Sequence, residues 1–188
     1  MQDSDASLVA RSLAGEPAVF VELLRRHGQA VHAYLTRRCG RDDADDLLSE
    51  VWVHAFAARA TYDGRWLDAR PWLYGIARNV LRAHWRRRGR PRPPRDWVAS
   101  DPWPDTDARL DAAALLPALR RALAALPDDD RAVLLLVAWE GLTPAEAAIA
   151  LGIPPGTARS RLHRARARLR QLLRDDPAFR DGCRYQEA

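Results

Sequence analysis

The sequence predicts an all-α chain of two small helical domains joined by a Pro/Asp-rich linker, the C-terminal domain being a helix-turn-helix. Three observations carry this. Apolar residues recur at three- and four-residue spacing over most of the 188 residues, and no stretch keeps the two-residue alternation of a strand for more than a few positions. Between 91 and 109 the pattern stops at Pro91, Pro93, Pro94, Pro102 and Pro104 with four aspartates among them, a composition that reads as an extended linker. Near the C-terminus a short helical pattern, a glycine-containing turn and a longer helical pattern follow in order, the helix-turn-helix arrangement. The expected partition is an N-terminal tail 1–14, a first domain 15–90, the linker 91–109, a second domain 110–175 and a tail 176–188.

Taken in order, Val19, Phe20, Leu23, Leu24, Val31 and Leu35 predict one or two helices around Gly28. Ala44, Leu47, Leu48, Val51, Trp52, Ala55 and Phe56 form a cleaner stripe behind Asp42 and Asp43, which suit the positive end of a helix. After a break at 61–68, Pro71 opens a helix carrying Trp72, Leu73, Ile76, Val80 and Leu81 as far as Gly89. Beyond the linker, Leu110–Leu126 and Arg131–Trp139 predict helices, the second behind Asp128–Asp130 and closed by Gly141. Thr143 and Glu146 have capping-box spacing before a helix over Pro144–Leu151. Gly152–Gly156 forms the turn, and Thr157 to about Arg174 the last helix.

Charge is segregated along this frame. All 30 basic residues are arginine and the net charge is +5. Residues 1–60 hold 7 arginines against 9 acids, 61–95 hold 10 against 2, 96–130 hold 3 against 8, and 131–188 hold 10 against 6. Two basic blocks flanking an acidic middle suit two separate contacts with a polyanion, and nucleic acid is the leading partner. No run approaches the length of a membrane span, and Met1–Ala10 is acidic and polar where a signal peptide would be basic and then apolar. The expectation is a cytoplasmic protein without membrane insertion.

On the last helix, Ala158, Leu162, Ala165, Leu169 and Leu172 fall on one narrow stripe. Arg159, Ser160, His163 and Arg164 occupy the opposite face within the first two turns, the end of a recognition helix that meets base edges in the major groove. Arginine can hold guanine by two hydrogen bonds, and serine or histidine can reach bases or phosphates. Arg161, Arg166, Arg168 and Arg170 suit phosphates or solvated flanks. The plainer reading of this helix alone is a solvated arginine-rich face. In the other basic block, Tyr62, Trp66, Trp72, Tyr74 and Trp85 alternate with Arg65, Arg70, Arg78, Arg82 and Arg86–Arg88. Cations beside rings suit single-stranded DNA, whose backbone and unpaired bases they engage, and Asn79 could read an extruded base. Most of these aromatics fit packing by their spacing; Trp66, in the loop, is the one expected to be exposed.

Little supports catalysis. The five histidines form no ligand motif and no Gly-rich phosphate loop is present, so no catalytic residue, cofactor or metal is expected. Asp42, Asp43, Asp45, Asp46 and Glu50 lack a calcium-loop pattern and read as dipole complements or a partner surface. Cys39 and Cys183 form no motif and read as reduced thiols.

Four ordered motifs carry a resemblance: D-A-D-D-L-L-S-E-V-W-V-H-A-F (Asp43–Phe56), R-P-W-L-Y-G-I-A-R-N-V-L (Arg70–Leu81), L-P-D-D-D-R-A-V-L-L-L (Leu126–Leu136) and the stretch Gly141–Leu169. Together they resemble the extracytoplasmic function (ECF) group of bacterial RNA polymerase sigma factors, over about residues 15 to 175. The resemblance implies a subunit that joins core polymerase, recognises the minus-35 and minus-ten promoter elements and melts the DNA. It implies docking on the β′ clamp through Asp45, Asp46, Leu47, Ser49, Glu50 and Trp52, with a further contact to the β flap. It implies minus-ten recognition and melting through Trp66, Arg78, Asn79, Arg82 and Arg86. For the minus-35 element it implies Arg159, Ser160, His163 and Arg164, joined by Thr157 and Arg161. It implies a linker threading toward the active centre, and a separate anti-sigma factor as regulator. Ala158 and Pro155 stand where the family usually has β-branched residues. The alternative from another class is a stand-alone helix-turn-helix repressor or activator, which would dimerise on a palindrome without polymerase; a nucleic-acid-processing enzyme would need a metal or nucleophile site that the sequence does not offer.

Overall fold

The computed structural model describes residues 3–89 and 116–177. The chain divides into two compact units, and each is described by itself. All regular structure among the described residues is helical. The linker 91–109, residues 110–115 and Cys183 lie outside the described residues.

The first unit begins with a helix where a tail was expected. Ser4 caps α1 (Asp5–Leu13) by accepting a hydrogen bond from the Ser7 amide, and Asp5, Leu8, Val9 and Ser12 are buried. Only two strongly apolar side chains anchor this helix, too weak a stripe to stand out beside acidic and polar neighbours. A 3₁₀ turn, Pro17–Phe20, leads into α2 (Val21–Cys39), which runs through Gly28 without a break. Next come α3 (Arg41–Ala57), a 3₁₀ turn (Arg59–Thr61) and α4 (Arg70–Arg87). α2, α3 and α4 pack pairwise against one another. Their shared core includes Leu23, Val31, Leu35, Ala44, Val51, Leu73 and Ala77, all fully buried. The expected stop after α4 is present: Gly89 takes φ +65°, which a side chain would strain.

In the second unit, the described part of α5 covers 116–124, followed by α6 (Asp128–Ala138), α7 (Pro144–Leu151) and α8 (Pro155–Asp175). α6 starts at Asp128, so the aspartate triplet lies inside its first turn, where carboxylates complement the helix dipole. The buried Arg131 reaches back with Nη1 to the carbonyls of Leu123, Ala124 and Leu126, satisfying the open end of α5. α6 packs on α8 through the expected stripe, with Ala158, Leu162 and Ala165 buried.

The capping box is formed. Glu146 Oε2 accepts from the Thr143 amide at 2.7 Å, and Thr143 Oγ1 accepts from the Glu146 amide at 3.2 Å. α7 ends in a Schellman turn in which the Ile153 amide donates to Ala148 O and the Gly152 amide to Ile149 O. Gly152 sits there at φ +65°. Pro155 occupies the first turn of α8, so that helix starts two residues before the expected Thr157.

Candidate nucleic-acid and polymerase interfaces

The start of α8 presents the expected face. Arg159, Ser160, His163 and Arg164 are exposed, while Thr157 and Arg161 are half-buried. Ser160 Oγ donates to Thr157 O at 3.0 Å, which fixes the hydroxyl against its own helix. The aspartate triplet adds a feature that sequence reasoning missed, because each aspartate holds a different arginine. Asp128 pairs with Arg131 at 2.5 Å, Asp129 with Arg161 at 2.8 Å and Asp130 with Arg164 at 3.0 Å. The last two reach from the first turn of α6 to α8, a juxtaposition with no trace in a linear motif.

The basic segment of the first unit resolves into a packed side and an outward side. Leu73, Tyr74, Ala77, Val80, Leu81, His84 and Trp85 of α4 are buried. Asn79, Arg82 and Arg86, spaced three and four apart, share an exposed face, and Arg78 beside them is half-buried. Tyr74 and Trp85 are thus core, and Tyr62 and Trp72 lie edge to face with centroids 5.5 Å apart.

The loop before α4 is tightly built. The Trp66 amide donates to Asp63 O at 3.0 Å, the Arg65 amide to Asp63 Oδ1 at 3.1 Å, and the Tyr62 hydroxyl to the Trp66 carbonyl. Burial, with Asp5, Asp68 and Asp63 nearby, pushes the Tyr62 phenol up to about 12, so it stays a donor. Asp68 Oδ1 accepts from the Arg70 amide at 2.9 Å at the start of α4. The loop is held from inside as well: Asp5 Oδ2 accepts from the Ala69 amide at 2.9 Å and lies 2.7 Å from His27 Nε2, while Asp5 Oδ1 takes Arg26 at 3.2 Å. Burial by itself would raise the Asp5 carboxyl, but these hydrogen bonds and the nearby positive charge outweigh it and hold the group below its ordinary value. On this frame Trp66 is 38% exposed and Leu67 76% exposed. Leu67 was not among the expected site residues, since a single loop leucine carries no signal in the sequence.

On α3, Asp45, Asp46 and Ser49 point outward and Glu50 is half-buried. Leu47 and Trp52, expected on the docking face, are corrected by the structure: they are 3% and 8% exposed, and Trp52 packs edge-on against Phe20 at 6.4 Å. Both belong to the apolar stripe that predicted the helix, and little of either side chain is open to a partner. α4 meanwhile sends its last arginines back across α3. Arg87 reaches Glu50 at 3.1 Å and Arg88 reaches Asp43 at 2.6 Å, with His84 Nε2 3.5 Å from the same Asp43. A groove of about 330 Å³ lies between these pairs. Two of the five clustered acids and two of the three consecutive arginines therefore neutralise one another within the unit.

Among the described residues, the grouping with spacing compatible with a metal ion is Asp5, His27 and Asp68. Its central carboxylate already accepts from Arg26, His27 and the Ala69 amide, which leaves it committed to the protein. Cys39 is a free thiol that burial, aided by Asp43, pushes up to about 11; it is therefore a poor nucleophile at neutral pH. No helix among the described residues is long and apolar enough to cross a membrane.

Comparison with known proteins places these surfaces in a family context. Residues 23–91 match the model of sigma-70 region 2, and residues 116–169 match that of sigma-70 region 4. The ECF RNA polymerase sigma factor SigM of Mycobacterium tuberculosis is 37% identical over 175 residues, covering 90% of this chain and 85% of its own. CnrH, solved in complex with the cytosolic domain of CnrY, superposes with a TM-score of 0.63 at 28% identity, over 93% of this chain and 99% of the solved one. The sigma factor RpoE of Bartonella quintana, solved with the anti-sigma factor NepR, gives 0.60 at 27% identity, over 84% and 98%. With both sigma regions matched in order and identity extending over nearly the whole of a relative's length, the chain belongs to the extracytoplasmic function group of RNA polymerase sigma factors.

Proposed function

We propose that this sigma factor divides its work among three surfaces. As an ECF sigma factor the chain binds core RNA polymerase and directs it to promoters to initiate transcription. Residues 15–90 act as the unit that docks on core polymerase and engages the minus-ten element, 91–109 as the linker, and 110–175 as the unit that reads the minus-35 element. Asp45, Asp46, Ser49 and Glu50 on α3 meet the polymerase clamp. Trp66, with Arg78, Asn79, Arg82 and Arg86 of α4, captures and melts the minus-ten DNA. Arg159, Ser160, His163 and Arg164 read the minus-35 bases, while Thr157 and Arg161 meet its backbone. The chain works in the cytoplasm and carries no catalytic group of its own.

The observation that carries this reading is the face of α8: one narrow stripe is buried and the opposite side of the first two turns is polar and exposed. That is the geometry of a helix that enters a major groove. The solved complex of a similar sigma factor with an anti-sigma factor supports a proposal that a separate anti-sigma protein holds this chain inactive.

The test is co-elution of the purified chain with bacterial core RNA polymerase on a sizing column, followed by start-site mapping on a genomic promoter library. Stable co-elution with new start sites sharing two spaced elements is the expected result. Elution alone, as a dimer that binds palindromic duplex without polymerase, would reverse the assignment in favour of a stand-alone regulator.

A further inference from the structure

We infer that Asp130 is a positioning residue for promoter reading: it orients the Arg164 guanidinium so that a single edge of it faces the DNA. The inference rests on the proposal that α8 reads the minus-35 bases, and extends it to a residue on a different helix that touches no DNA. Asp130 is buried in the first turn of α6, where the helix dipole favours a carboxylate. Its Oδ1 accepts from Arg164 Nη2 at 3.0 Å and its Oδ2 from Arg164 Nε at 3.3 Å, while the arginine side chain itself stays exposed.

A guanidinium offers five N–H donors in a planar fork. The two on the Nε–Nη2 side are taken by Asp130. The edge that still presents two parallel donors is the one formed by Nη1 and Nη2, and two parallel donors are what the O6 and N7 of a guanine accept. An arginine on an untethered stem would serve any nearby phosphate equally well; one fixed along its side edge has a restricted set of poses. The carboxylate meanwhile brings negative charge toward a phosphate backbone, lowering affinity for every sequence alike. Asp130 therefore trades general affinity for discrimination. Asp129 holds the half-buried Arg161 at 2.8 Å, an arginine proposed to meet the backbone.

The test uses holoenzyme reconstituted from the full chain and core polymerase, transcribing a promoter library randomised across the minus-35 element. Asp130→Asn, Arg164→Ala and the double variant are compared with the parent by sequencing the transcribed templates. Arg164→Ala is expected to flatten the base preference at one position, on the order of tenfold. Asp130→Asn is expected to flatten the same position several-fold and to raise binding to random duplex, and the double variant should show the same base-preference profile as Arg164→Ala alone.

A merely structural role for Asp130 would lower output from all templates together and leave the preference profile unchanged. That result, beside an altered Arg164→Ala profile, would overturn the positioning role while sparing the reading helix. An Arg164→Ala profile identical to the parent's would remove the base-reading assignment and this inference with it.

Discussion

Each unit of this sigma factor contains one buried aspartate that fixes an element proposed to meet DNA, and the two do so differently. In the first unit Asp5 holds backbone: it accepts from the Ala69 amide at the end of the Tyr62–Asp68 loop and is itself balanced by Arg26 and His27. In the second, Asp130 holds a side chain, the guanidinium of Arg164. Anchoring backbone fixes where a loop lies and leaves Trp66 and Leu67 to choose their rotamers. Anchoring a side chain fixes where one charge points. The first arrangement suits stacking against bases of any identity, and the second suits reading one base edge.

The contrast can be broken or sharpened experimentally. The largest effect is expected at the surface that neither aspartate controls: Asp45→Arg together with Asp46→Arg should abolish co-elution with core polymerase while the helical circular dichroism stays unchanged, because both side chains point away from the core. Glu50 is the poorer choice for this test, since its loss would also strip Arg87 of its partner.

Removing the backbone anchor comes next. Asp5→Ala should cost about 2–3 kcal/mol at pH 7 by deleting a buried, charge-assisted acceptor, read as a fall in the urea midpoint. The folded-state pKa of Asp5 lies below its ordinary 3.8, so the charged form contributes stability above that pH. The contribution begins to fade as pH drops below 3.8 and is lost as it falls through the lower folded value, so the gap between parent and variant should narrow in that acid range.

A smaller and more local effect is expected at the loop tip. Trp66→Ala should reduce permanganate reactivity of minus-ten thymines on the order of tenfold, the scale of one lost base stack, without altering the minus-35 preference profile. The smallest effect separates arginines that look alike in sequence. Arg82→Ala should lower the salt slope of holoenzyme binding to promoter DNA by about 1, whereas Arg87→Ala, whose guanidinium is spent on Glu50, should leave it unchanged.

Much of this was legible along the chain because it depends on residues three or four apart. The stripe of α3, the capping box at Thr143 and Glu146, the Gly152 turn and the buried face of α8 are local, and each formed where its spacing required. The exposed quartet on α8 follows from the same periodicity. The α1 helix escaped notice because its two buried apolar residues, Leu8 and Val9, acquire meaning only from the neighbours that cover them.

The sequence by itself determined the class of fold and the polar face of α8, since helical period and capping chemistry are properties of consecutive residues, and its four ordered motifs carried the order of the two sigma regions. Only the tertiary structure decided which charges are paired within the unit. Asp43 and Glu50 lie close in sequence to Asp45 and Asp46, yet the first two face α4 and are neutralised by Arg88 and Arg87, while Asp46 faces outward and the exposed Asp45 lies 2.9 Å from His32 Nε2. Arg159 and Arg164 look equivalent on a helical wheel, yet Arg164 shares its charge with an aspartate 34 positions away. A charge is counted in the sequence, but its availability is set by what packs within about 3 Å of it.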